Sequence, residues 1–147
     1  METHNIMTPP AGAHRMLYRV PYSETDAMGR VYYANYLIWF ERGRTEMLRD
    51  AGFPYRRMEE MGILLPVRQC AVRYLGFGEY DDEIELFTWI TRLGRARVEV
   101  ATQARKNGQP ITVGTVELAC VNLQGKPVPW PDVILKVLEK YLDIQTV

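Results

Sequence analysis

The sequence predicts an α+β domain in which a mostly antiparallel sheet packs on one long central helix. Three observations carry that expectation. Residues 35–51 place Tyr36, Phe40, Gly43 and Met47 on one helical face, with Leu37, Leu48 and Ala51 beside it. Residues 64–123 fall into about four period-two segments separated by turn residues. The order strand, long helix, strands, closing helix segregates helix from strands instead of alternating them. At 147 residues the chain fits one domain with a single core, placed at residues 15–147. Residues 1–14 contain Pro9, Pro10 and Gly12, show no periodicity and are expected to form a flexible tail.

Taken in order, residues 16–22 (MLYRVPY) alternate as a strand, and Pro21 puts that strand at an edge or ends it. The long helix follows, with Asn35 suited to its N-cap and Gly52 to its C′ position. At about 1.5 Å per residue it is about 25 Å long and spans a small domain. Gly43 sits inside it at a cost of roughly 1 kcal/mol relative to alanine, explained either by a close helix–sheet approach or by simple tolerance. Residues 54–62 suggest a short helical turn. Strands are expected at residues 64–75, 83–93, 95–106 and 110–123, running as a meander. Asn107-Gly108 is a strong hairpin signal between the last two. Residues 132–142 close the chain with Val133, Val137 and Tyr141 spaced by four.

The balance of charge narrows the function. Basic and acidic residues number 18 each, which argues against a general affinity for nucleic acid. Cys70 and Cys120 are too far apart for a Cys-x-x-Cys pair and read as buried, reduced thiols. No run approaches the roughly 18 apolar residues of a membrane span, and the N-terminus lacks a signal-peptide core. A cytoplasmic protein without membrane attachment is expected. Both histidines, His4 and His14, fall in the expected tail, so a Ser-His-Asp or Cys-His system lacks an anchored base. No His, Cys or carboxylate cluster has metal-ligand spacing, so no metal is expected.

The chemistry concentrates in the turn before the long helix. A solvated aspartate is ionised at neutral pH, so unless burial opposes it Asp26 is available as a base or nucleophile, not as an acid. Gly29 permits a tight or left-handed turn. The helix beyond begins with N–H groups that lack internal partners and lie at the positive end of its dipole. A carboxylate and an oxyanion site a few residues apart suit hydrolysis of an activated acyl group. The same Asp-x-x-Gly string is also a common turn, in which Asp26 does no more than bond its own backbone.

The stretch T-D-A-M-G-R-V-Y-Y-A-N-Y, followed by F-E-R-G-R-T-E-M-L-R and later by Y-D-D-E-I-E-L, resembles the 4-hydroxybenzoyl-CoA thioesterase branch of the hot-dog-fold thioesterases over residues 18–123. The resemblance implies a curved antiparallel sheet wrapped around a central helix, with paired subunits completing each active site as a homodimer or homotetramer. It implies hydrolysis of an acyl-CoA to a free acid and coenzyme A, coenzyme A being part of the substrate and no cofactor being needed. Asp26 matches the catalytic aspartate, as base for water or as nucleophile through an anhydride. Tyr33 matches the residue whose backbone N–H polarises the thioester carbonyl. Many relatives carry histidine at that position. A tyrosine keeps the backbone role but is a poor base at neutral pH.

Gly29, Asn35 and Tyr36 are candidate substrate contacts, with Asn35 equally suited to a plain N-cap. Arg92, Arg95 and Arg97 around the Gly94 turn are candidate phosphate contacts, since arginine binds phosphate well. Two other activities fit the same residues: hydrolysis of acyl-carrier-protein thioesters, and a non-catalytic module that binds acyl thioesters.

Overall fold

The computed structural model describes residues 6–143. Five strands form one antiparallel sheet: β1 (His14–Arg19), β2 (Val67–Tyr74), β3 (Glu83–Leu93), β4 (Arg97–Lys106) and β5 (Gln109–Ala119). Three helices accompany them: α1 (Asn35–Asp50), α2 (Tyr55–Glu60) and α3 (Asp132–Glu139). The α+β expectation holds, with α1 as the long helix.

The strand order is β1-β3-β4-β5-β2. The meander is therefore limited to β3, β4 and β5. β2 does not lie beside β3, because β1 already occupies that edge from His14↔Thr88 to Arg19↔Glu83. The chain leaving α2 instead crosses to the open side of β5, pairing Val67 with Leu118 and Tyr74 with Thr112. β2 is an edge strand, which is why Cys70 is exposed rather than buried as expected, while Cys120 is buried. The Asn107-Gly108 hairpin forms as expected, with both residues at positive φ, 52° and 76°, between Lys106 and Gln109.

α1 packs against the inward face of the sheet through two apolar clusters. Tyr36 and Trp39 meet Val20, Val31, Ile84, Leu86, Ala104 and Ile111 near the helix start. Phe40, Met47 and Leu48 meet Ile90, Val100, Val116, Leu118 and the α3 residues Ile134 and Leu138 further along. Fully burying one such side chain contributes about 1.5–3 kcal/mol. Between the clusters the backbones draw together. A Cβ on Gly43 would collide with the Thr88 hydroxyl of β3, and one on Gly114 would lie 2.5 Å from the Phe40 ring. The close approach at Gly43 is thus what the helical glycine serves.

The helix ends at Gly52, φ +86°. Gly52 N–H donates to the Arg49 carbonyl at 2.9 Å and Phe53 N–H to the Leu48 carbonyl at 3.0 Å, while Leu48 and Phe53 are both buried. This is the Schellman arrangement expected of a C′ glycine.

Residues 1–5 of the expected tail, with His4, lie outside the described residues. The expectation that both histidines sit unanchored does not hold for His14, which opens β1 and is buried. Its Nε2 lies 2.6 Å from Asp50 Oδ2 at the end of α1. Ahead of it, the Ile6 and Met7 carbonyls accept hydrogen bonds from Gln103 Nε2 of β4. Among the described residues no serine, threonine or cysteine hydrogen-bonds His14, so its order supplies no nucleophile for a triad. No described helix is long and apolar enough to cross a membrane.

Candidate active site

β1 ends at Arg19, and a 3-10 turn at Tyr22–Glu24 redirects the chain into a small closed hairpin. Thr25 bridges Val31 in antiparallel fashion. Within it, Asp26 N–H donates to the Arg30 carbonyl at 2.8 Å and Gly29 N–H to the Asp26 carbonyl at 3.0 Å. Gly29 has φ +77°, a conformation glycine adopts without steric cost.

Asp26 uses one carboxylate oxygen locally: Oδ1 accepts Met28 N–H at 2.8 Å and Arg30 N–H at 3.3 Å. The turn role is therefore present, yet it occupies one oxygen. Among the described residues no donor reaches Oδ2. Asp26 is half-buried. Burial pushes the Tyr36 hydroxyl above its ordinary pKa, and the Asp26 charge adds slightly to the shift.

The start of α1 lies against this hairpin. The N-cap position falls on Ala34, with no side-chain cap, and the expected N-cap Asn35 is the first helical residue. Asn35 is displaced from that role because its side-chain Nδ2 donates to the Glu24 carbonyl at 3.0 Å. Tyr32 N–H donates to the same carbonyl at 2.8 Å. The next N–H, that of Tyr33, has no acceptor among the described residues, while the Tyr33 carbonyl accepts the Tyr74 hydroxyl at 3.0 Å. The peptide that carries this N–H is held at its other end, where the Tyr32 carbonyl accepts Asn35 N–H at 2.8 Å. The Tyr33 side chain is exposed, its ring 4.8 Å from that of Tyr32.

Tyr36, expected as a substrate contact, is only 2% exposed and belongs to the core. Its hydroxyl accepts Gly78 N–H at 3.1 Å, and its ring meets Trp39 and Tyr74 edge-on. Arg92, Arg95 and Arg97 do not meet Asp26 within the subunit. They surround the β3–β4 turn, whereas the Asp26 hairpin adjoins the opposite end of the sheet, where Arg30 bridges Glu79 and Lys106 pairs with Asp82. At about 3.3 Å per residue, β4 separates the two ends by about 30 Å. Arg92 and Arg97 also sit near Glu99 and Glu117, at 3.5 and 3.6 Å. The cation on the Asp26 hairpin itself is Arg30, its guanidinium 3.8 Å from the Phe77 ring centre and without a carboxylate partner among the described residues.

Sequence reasoning missed Glu24. It is 9% exposed, and its carboxylate accepts the Tyr18 hydroxyl at 2.6 Å and Trp39 Nε1–H at 2.7 Å. Residue order carries no signal for this, since S-E-T-D reads as a solvated turn. Among the described residues no group of three or more His, Cys, Asp or Glu side chains is placed to hold a metal ion.

A five-stranded antiparallel sheet packed on one long helix, with an Asp-x-x-Gly hairpin at the helix start, defines a class that comparison with known proteins identifies. The thioesterase-like superfamily matches residues 20–138, and the chain belongs to that family. Its fold is the hot-dog fold of that family. The acyl-CoA thioesterase YbgC of Haemophilus influenzae is 36% identical over 115 residues, 77% of this chain and 85% of that protein. The YneP protein of Bacillus subtilis is 46% identical over 71 residues, a match that spans 48% of this chain and about half, 51%, of that one. The crystal structure of a DHNA-CoA thioesterase from Staphylococcus aureus superposes with a TM-score of 0.81 at 30% identity, covering 88% of each chain. The class expected from the sequence, a thioester hydrolase, follows from the family.

Proposed function

We propose that the protein is an acyl-CoA thioesterase that releases a carboxylic acid and coenzyme A, with Asp26 as base or nucleophile and the Tyr33 N–H as oxyanion donor. The observation that carries the reading is that Asp26 commits Oδ1 to its own turn and keeps Oδ2 unengaged. The Tyr33 N–H, just ahead of α1, has no acceptor among the described residues.

In one route Oδ2 takes a proton from water as the water oxygen attacks the thioester carbon, and the Tyr33 N–H holds the carbonyl oxygen as it becomes negative. Collapse expels the coenzyme A thiolate. In the other, Oδ2 itself attacks, the thiolate leaves, and water hydrolyses the resulting anhydride. Both use the same geometry, and a single oxyanion donor is worth about 2.7–4 kcal/mol. The coenzyme A belongs to the substrate, so neither route calls for a cofactor. Gly29 shapes the hairpin. Asn35 ties the helix start to Glu24 through Nδ2, and its amide oxygen is left to meet the substrate. Arg30, on the hairpin, is better placed than Arg92, Arg95 or Arg97 to meet a phosphate of a substrate bound at this subunit's Asp26.

The working unit in this reading is a homodimer joined through β2, whose outer edge is unpaired and whose Val67 and Tyr74 are exposed. A homotetramer would need a second surface besides this edge. The free thiols and the absence of a membrane-crossing helix among the described residues support a cytoplasmic location.

Thiol release from short, long and aromatic acyl-CoA esters, and from acyl-carrier-protein esters, tests the reading in wild type and Asp26→Asn. An asparagine oxygen still accepts the two turn N–H bonds, so the variant stays folded while its kcat falls about 10²–10⁴-fold. Turnover on the carrier protein alone would make the enzyme an acyl-carrier-protein thioesterase. A wild type inactive on every ester would leave only a binding module. An active Asp26→Asn would move the site elsewhere.

A further inference from the structure

The Asp26 hairpin and the Tyr33 N–H can cooperate only if their separation is fixed, and neither has a direct hydrogen bond to the other. What lies between them is Glu24. Its backbone carbonyl accepts two hydrogen bonds, from Tyr32 N–H at 2.8 Å and Asn35 Nδ2 at 3.0 Å, and so ties the start of α1 to the residue two before Asp26. Its carboxylate accepts two more, from Tyr18 of β1 and Trp39 one turn into α1. These bonds are short, and a charged acceptor makes each about twice as strong as a neutral pair.

A buried charge is costly unless its partners satisfy it. Here one residue is locked from both its side chain and its main chain to the sheet, to the helix and to the loop between them. The Tyr32 N–H is taken by Glu24, and the following one, of Tyr33, has no acceptor among the described residues.

We infer that Glu24 is a positioning residue for thioester hydrolysis, holding the Asp26 carboxylate and the Tyr33 N–H in register without touching the substrate. The inference rests on the active-site reading above. Misplacement by about 1 Å can cost about 10²-fold in rate. Glu24→Ala, assayed on the best acyl-CoA ester, lowers kcat by about that factor with KM little changed. Glu24→Gln restores most of kcat, because its amide oxygen accepts the indole N–H while its NH₂ donates to the Tyr18 hydroxyl.

Amide hydrogen exchange supplies a readout independent of activity: in Glu24→Ala the Arg30 and Tyr32 N–H groups exchange faster, while core amides of β4 do not. A folded Glu24→Ala with wild-type kcat and wild-type protection overturns the inference. So does a Glu24→Gln as slow as Glu24→Ala with protection intact in both, which would assign the effect to charge. If Glu24→Ala does not fold, Tyr18→Phe removes one of the carboxylate's two bonds. It lowers kcat by a smaller factor and loosens the same amides, and an unchanged Tyr18→Phe overturns the inference in that case. Should Asp26→Asn prove fully active, the active-site reading fails, and the exchange of Arg30 and Tyr32 still decides whether Glu24 holds the hairpin to the helix.

Discussion

Replacing Gly43 by alanine sets two effects of opposite sign against each other. In an exposed helix the change would stabilise by about 1 kcal/mol, because glycine loses more backbone freedom than alanine. Here the added Cβ would overlap the Thr88 hydroxyl, far inside van der Waals contact, while Thr88 itself is fully buried and flanked by Thr102. Overpacking of this kind costs about 1–3 kcal/mol, and an overlap with a side chain that has no room to move belongs at the upper end. The net expectation is destabilisation by about 2 kcal/mol, a fall of about 4–8 °C in Tm for a domain of this size.

The Thr88→Ala background separates the two effects. The nearest remaining atoms would be the residue-88 Cβ at 3.7 Å and the Thr102 methyl at 3.8 Å, ordinary contacts. Gly43→Ala should then be neutral or stabilising by up to about 1 kcal/mol. Urea unfolding of the four proteins at one protomer concentration gives the coupling energy, expected at about 2–3 kcal/mol. A Gly43→Ala that stabilises the wild type, or that has the same effect in both backgrounds, would refute the idea that helix and sheet are in contact at this point.

Two further expectations concern pH and assembly. Tyr18 has its pKa raised from 10.0 to about 12, first by burial and then by its bond to Glu24. The folded state therefore favours the neutral phenol, so this contribution is complete below pH 10 and is lost as pH rises from 10 through 12. Tyr18→Phe should flatten the fall in stability over that window, measured by urea midpoints at stepped pH, and an equally steep fall would count against the Tyr18–Glu24 contact. Cys70 is the fourth residue of the eight in β2. If two β2 edges pair antiparallel about a twofold axis through the strand centre, Cys70→Arg sets like charges nearly opposite each other, which destabilises the pairing. Sedimentation velocity should then report more monomer and the specific activity should drop with the dimer fraction, whereas an unshifted wild-type dimer would exclude that edge as the interface.

Local patterns carried much of this protein. The apolar spacing of Tyr36, Phe40, Gly43 and Met47 specified α1, and Gly52 specified its end, because both depend on residues within a few positions of one another. Asn107-Gly108 fixed the β4–β5 hairpin for the same reason. Asp26 and Gly29 were legible as a tight turn, and their resemblance to a thioesterase motif pointed to the chemistry of that turn.

Tertiary structure decided what depends on distant partners. β2 joins β5 rather than β3 where β1 already occupies the β3 edge, a pairing between segments dozens of residues apart. His14 is ordered because Asp50 and the sheet receive it. The arginines of the β3–β4 turn were grouped correctly with one another, yet about 30 Å of strand separates them from Asp26. Glu24 has the composition of a solvated turn and becomes a buried anchor only because Tyr18 and Trp39 converge on it. A carboxylate's neighbours in sequence state that it is charged, and only its neighbours in space determine what that charge holds in place.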